Sequence, residues 1–103
     1  MNCSRNDVVL LPIPFTDLTT RKVRPAIVIG QYGSDLFLVP ISSVLANTDF
    51  KLAGWQAAGL NVPSGVKAQL ATVEENLVLK IVGQLSPNDV SILDAHLRGW
   101  LKL

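Results

Sequence analysis

A small, strongly bent antiparallel β-barrel with one C-terminal helix packed on it is the fold class this sequence predicts, as a single domain over residues 1–103. Three observations predict it. Apolar runs of strand length recur from Val8 to Val82, each interrupted by glycine, proline or small polar residues. The one clear helical periodicity begins only at Ser86. A chain of 103 residues suffices for one core, burying roughly 60–70% of its unfolded surface.

Each element has its own reason. Val8-Val9-Leu10-Leu11 is continuously apolar, as a strand covered on both faces would be, and Pro12 and Pro14 end it or confine it to an edge. Arg24 to Gly30 is the second strand. Gln31-Tyr32-Gly33-Ser34-Asp35 turns the chain, and Leu36 to Ile41 returns antiparallel. Phe50-Lys51-Leu52 reads as a short strand; residues 54–63 read as irregular, with one helical turn near Gln56-Ala57-Ala58. Val66 to Val73 and Leu77 to Val82 read as two more strands joined by a turn at Glu74-Glu75-Asn76. In the helix, Ser86 suits the N-cap, Pro87 the first helical position and Asp89 the electropositive first turn. Val90, Leu93, Leu97, Trp100 and Leu101 form its apolar stripe.

Composition narrows the function classes. Hydrophobic residues make up 49% of the chain and mean hydropathy is +0.36, which excludes a disordered chain and points to more apolar surface than one small core hides, hence a dimer. The longest apolar run, Val8 to Phe15, is too short for a membrane span, which needs about 20 residues. The first seven residues lack a signal peptide's apolar segment, and the one cysteine, Cys3, has no internal partner; a cytoplasmic protein is the expectation. A net charge of +1 is low for a protein that coats duplex nucleic acid, so any nucleic-acid contact is local. Arg21, Lys22 and Arg24 are the one dense basic cluster.

Much familiar chemistry is missing. His96 is the only histidine and lies within the helix, so two-histidine ribonuclease chemistry is not available within one chain, and the histidine reads as structural. The carboxylates have no ligand-spaced histidine or cysteine partners, so neither a metal nor another cofactor is expected. No glycine-rich phosphate loop is present. Cys3 has no activating partner.

What remains is Arg24 with Ser42. Pro25 biases Arg24 towards extended backbone. Counting outward from the turn at Gly33 puts Ile29 near Leu36 or Phe37, and Arg24 near Ile41 or Ser42. An arginine fork beside a hydroxyl can hold a phosphodiester. The same two residues also read as a surface arginine and a turn serine. Thr16, Asp17, Thr19, Arg21 and Lys22 read either as a loop that contacts phosphates or as a solvated loop. Trp55 is a stacking platform or, more ordinarily, a core or interface side chain, and Trp100 is a core or dimer contact.

Four segments carry a family resemblance. They are Asp7-Val8-Val9-Leu10 with Pro12-Ile13-Pro14-Phe15-Thr16-Asp17; Arg24-Pro25-Ala26-Ile27-Val28; Pro40-Ile41-Ser42-Ser43; and the ordered set Asp49-Phe50, Trp55, Ala58-Gly59-Leu60, Pro63-Ser64, Val66-Lys67 and Gly83-Gln84-Leu85-Ser86. In this order they resemble the MazF/PemK toxins. The resemblance implies an SH3-like small barrel that dimerises. It implies a metal-independent, sequence-specific endoribonuclease of a type II toxin–antitoxin system. Such enzymes cut single-stranded RNA to 2′,3′-cyclic phosphate and 5′-hydroxyl ends, and a cognate antitoxin blocks the RNA groove. By the same resemblance Arg24 is the catalytic arginine, Ser42 stands for the catalytic threonine, and Ser43 and Lys67 join the loop residues as RNA contacts. Three positions depart from the family pattern: Asn6 replaces a glycine, Val44 a glutamine, and Ser42 lacks the threonine methyl. Two other readings stay open: a catalytically degenerate relative that binds antitoxin or RNA, and a gyrase poison of the CcdB kind on a similar barrel.

Overall fold

The computed structural model describes residues 2–12 and 22–103. Among the described residues seven strands precede one helix: β1 (Asp7–Pro12), β2 (Val23–Tyr32), β3 (Asp35–Ser42), β4 (Phe50–Lys51), β5 (Gly65–Val66), β6 (Ala71–Glu74), β7 (Lys80–Gln84) and α1 (Pro87–Leu101). The sheet path runs β4-β5-β3-β2-β1-β7, with β6 added to β3.

β3 organises the sheet because its two ends take different partners. Asp35 to Leu38 pair with β6, whereas Ile41 and Ser42 pair with β5. The expected continuous strand over 66–73 is therefore two strands. Between them the chain turns, with the Lys67 amide donating to the Pro40 carbonyl and the Gln69 amide to the Lys67 carbonyl.

The expected closed barrel is corrected. Among the described residues the sheet is open, since β4 and β7 at its ends do not pair. β6 and β7 follow one another in the chain without pairing either. A 3₁₀ turn (Glu75–Leu77) separates them, and Val78, which follows it, is buried in the core. At the other end β4 is only two residues long, too short to extend a ladder. Side chains do there what hydrogen bonds would do in a closed barrel. Leu52, Ala58, Leu85, Leu93 and Leu97 pack with Val8, Ile27, Val39, Ile41 and Val66 into one core under α1. Val9, Leu11, Ala26, Val28, Leu36, Leu38 and Val78 form a second cluster on the opposite face. β1 is buried on both faces, as its unbroken apolar run requires.

The helix forms as its sequence dictates. The Ser86 hydroxyl accepts from the Asp89 amide at 3.2 Å, and Pro87 occupies the first turn. Leu93 and Leu97 are buried; Val90 and Trp100 are half-buried, and Leu101 lies exposed. Lys102 ends the helix in the left-handed conformation, φ 56°. His96 has a structural bond: its Nδ1 lies 2.6 Å from Asp49 Oδ2, which also accepts from Trp100 Nε1 at 2.8 Å. The imidazole stacks on Phe50 at 4.3 Å, fastening α1 to the start of β4. The hydrogen bonds from His96 first and Trp100 second hold the Asp49 carboxyl below its ordinary range.

Asn6 has φ 74°. It adopts the left-handed turn that a glycine would supply, a conformation asparagine tolerates better than other side chains. The departure from glycine leaves the turn intact: the Asn6 amide donates to Val28 O, and its carbonyl accepts from the Leu85 amide.

Candidate functional site

The Arg24–Ser42 juxtaposition is set by the β2–β3 hairpin. At the tip, Tyr32 pairs with Asp35 and Gly30 with Phe37. A bulge at Ile29 then shifts the register, so that Val28 faces Leu38 and Ala26 faces Pro40. Continuing outward by two residues sets Arg24 against Ser42. Sequence counting reached the same neighbours within a residue.

A cleft of about 460 Å³ opens at this end of the sheet, and both side chains line it together with Ser43. Leu10, Pro25 and Val82 contribute apolar surface. The facing wall is the segment after β4, with Asn61, Val62 and Ser64. Lys80 at the start of β7 also lines the cleft. No carboxylate is among its described lining residues, so an anion entering meets cations and neutral dipoles.

Ser42 is held on both sides. It is the last residue of β3 and pairs with Gly65 of β5. Its Oγ accepts from the Val44 amide at 3.0 Å. That bond occupies an acceptor site and leaves the hydroxyl proton free to donate to a bound group. Because the contact uses the Val44 backbone, a valine at 44 preserves it.

The facing wall is fixed by two devices absent from sequence reasoning. Asp89 is fully buried; its Oδ1 accepts from the Ala53 amide at 3.1 Å and its Oδ2 from the Gly54 amide at 2.8 Å. A residue expected only to complement the helix dipole thus ties the 53–64 segment to α1. Gly59, at φ 87°, lies against β7 so closely that a Cβ there would sit 2.2 Å from Val82 O. A Cβ on Gly83 would reciprocally meet Ala58 O at 2.5 Å. Backbone on backbone sets the depth of the cleft.

Of the other expected site residues, Thr16, Asp17, Thr19 and Arg21 lie outside the described residues. Lys22 is exposed and Lys67 half-buried, and neither lines the cleft. Trp55 packs on the core under α1 and lines a separate groove with Leu45, Lys51 and Pro63. Asn61, Ser64 and Lys80 were missed as site residues: Lys80 is brought to the cleft by pairing with Leu10, Ser64 by the neighbouring Gly65–Ser42 pair, and Asn61 lies on the 53–64 segment beside β7.

A family model described as PemK-like, MazF-like toxin of type II toxin-antitoxin system matches residues 4–101. The chain belongs to this family. Its fold is shared with solved structures. A Mycobacterium tuberculosis toxin, MazF-mt6, superposes with a TM-score of 0.74 at 15% identity, covering 94% of this chain and 97% of that one. An endoribonuclease in complex with its cognate antitoxin from a mycobacterial species gives 0.73 at 15% identity, covering 100% and 97%. No curated protein matches the sequence significantly. Among the described residues no helix is long and apolar enough to cross a membrane.

Proposed function

We propose that this toxin is a metal-independent endoribonuclease that cleaves single-stranded RNA in the Arg24–Ser42 cleft, as one toxin domain acting in the cytoplasm. The observation that carries the reading is the pairing of an arginine with a hydroxyl whose proton is free, in a cleft whose described lining has no carboxylate. In the reaction the RNA's own 2′-oxygen attacks phosphorus. The new P–O2′ bond forms as the P–O5′ bond breaks, leaving a 2′,3′-cyclic phosphate and a 5′-hydroxyl. Negative charge grows on the non-bridging oxygens. The Arg24 guanidinium stabilises that charge, and the Ser42 hydroxyl orients the same group by donating to it. An arginine stays protonated in proteins, so Arg24 acts as an electrostatic stabiliser, not as a proton acceptor. Ser43, with Thr16, Asp17, Thr19, Arg21, Lys22 and, outside the cleft lining, Lys67, extends the RNA contacts.

Family membership and the antitoxin-bound structural relative support two partners. A cognate antitoxin occupies the cleft and excludes RNA. A second copy covers the apolar groove formed by Ile29, Phe37, Leu70 and Leu101, which continues to the exposed Leu103. Leu101→Asp leaves a monomer in sedimentation if that groove is the interface.

The deciding experiment is cleavage of a long single-stranded RNA in EDTA with both product ends mapped. Wild type gives specific cuts with cyclic-phosphate ends. Arg24→Ala loses about 100- to 1,000-fold in rate while remaining folded, and Ser42→Ala loses less. Full activity in folded Arg24→Ala sinks the mechanism. No cleavage by wild type across diverse RNAs turns attention to a binding role, and a gyrase assay follows.

A further inference from the structure

We propose that Lys80 binds a second phosphate in the cleft, adjacent to the one held by Arg24, so that the site grips two consecutive phosphates of single-stranded RNA. The inference rests on the ribonuclease reading above.

Lys80 is exposed, opens β7 and lines the same cleft as Arg24 and Ser42. Its position is fixed by pairing. Leu10 of β1 faces Lys80 on one side and Pro25 on the other. Lys80, Leu10 and Pro25 thus form one row across three strands, and paired residues project to the same face. At about 4.8 Å per strand, the backbones of Lys80 and Pro25 are about 10 Å apart. Arg24 is the next residue along β2. Its side chain alternates to the other face of β2, but it stands at the strand end, where it lines the same cleft as Lys80. The half-buried Leu10 and Pro25 between them offer apolar surface to the intervening sugar and base.

The two cations are suited to different tasks. A guanidinium presents a planar fork, which suits the phosphate undergoing reaction. An ammonium on a flexible stem is a point charge that accepts a phosphate in many orientations. Lys80 thus adds affinity and register without reading sequence.

The test is salt-dependent binding of an all-2′-O-methyl RNA of mixed sequence, which lacks the attacking hydroxyl and cannot be cut. Wild type, Lys80→Ala and Lys80→Arg are compared between about 50 and 200 mM salt. One lost phosphate contact lowers the slope of log affinity against log salt by about 0.7 for a single strand. Lys80→Ala shows that drop, Lys80→Arg restores the wild-type slope, and in cleavage the loss in Lys80→Ala falls on KM more than on kcat. A slope unchanged in Lys80→Ala while wild type cleaves RNA overturns the Lys80 assignment alone. Failure of wild type to bind or cleave any RNA overturns the ribonuclease reading and this assignment together.

Discussion

Replacing Asp89 by alanine removes the fastening between the helix and the wall of the cleft. The carboxylate is fully buried and accepts from two backbone amides, Ala53 and Gly54, at 3.1 and 2.8 Å. A hydrogen bond to a charged group contributes about 1.5–3 kcal/mol. Position in the first helical turn adds about 0.3–1 kcal/mol. Removing a buried charge relieves some desolvation, but the Ala53 and Gly54 amides then lose their acceptor. The net loss is about 3–5 kcal/mol, in line with breaking other buried polar networks. At about 4–8 °C per kcal/mol for a domain of this size, the melting temperature falls by about 12 °C or more. Asp89→Asn keeps the shape and one acceptor oxygen, and falls between wild type and alanine. Thermal melts by circular dichroism, with urea titrations to check that the m-value is constant, measure both variants. Hydrogen exchange at the Ala53 and Gly54 amides accelerates in parallel. An alanine variant that melts within about 3 °C of wild type refutes the reasoning, since that shift corresponds to less than about 1 kcal/mol.

Other expectations follow from the same structure. Gly59→Ala and Gly99→Ala have opposite signs: the first drives a Cβ into Val82 O at positive φ and destabilises by at least about 1–2 kcal/mol, while the second meets nothing within 4 Å in a helix and stabilises by about 0.5–1 kcal/mol. Melts of the two variants on either side of wild type check this. Asp49, held below its ordinary value of 3.8 by His96 and Trp100, contributes stability that is present above that value and lost as pH falls through the lowered one. Asp49→Asn should therefore flatten the acid limb of a stability–pH curve below about pH 4, and an identical acid limb in the variant contradicts the assignment. The Cys3 thiol is pushed above its ordinary 9.0, chiefly by burial and then by the Glu75 and Asp7 carboxylates. Iodoacetamide should alkylate it more slowly at pH 8 than it alkylates free cysteine.

The parts of the fold that follow local rules were legible in the sequence. Ser86, Pro87 and the stripe through Leu97 specify the helix by caps and periodicity, and the turn at Gly33 specifies the hairpin that carries Arg24 and Ser42. The division of 66–73 into two strands was not legible, because it depends on Pro40 and Lys67 meeting across the sheet. Closure was misjudged for a related reason: a run of strands looks the same whether or not its end strands pair. The site divides along the same line. Arg24 and Ser42 sit on adjacent strands and could be counted into contact. Asn61, Ser64 and Lys80 come together through pairings and backbone contacts, Leu10 with Lys80, Ser42 with Gly65 and Gly59 against Val82, that join segments more than twenty residues apart.

The bulge at Ile29 decides between two adjacent serines. Carried unbroken from the tip, where Gly30 faces Phe37, the hairpin register would set Arg24 opposite Ser43, which lies beyond the end of β3. The extra residue moves the arginine back one place, to the hydroxyl anchored by Gly65 on one side and by the Val44 amide on the other. The stretch from Arg24 to Ile29 therefore acts as a ruler whose count must be kept.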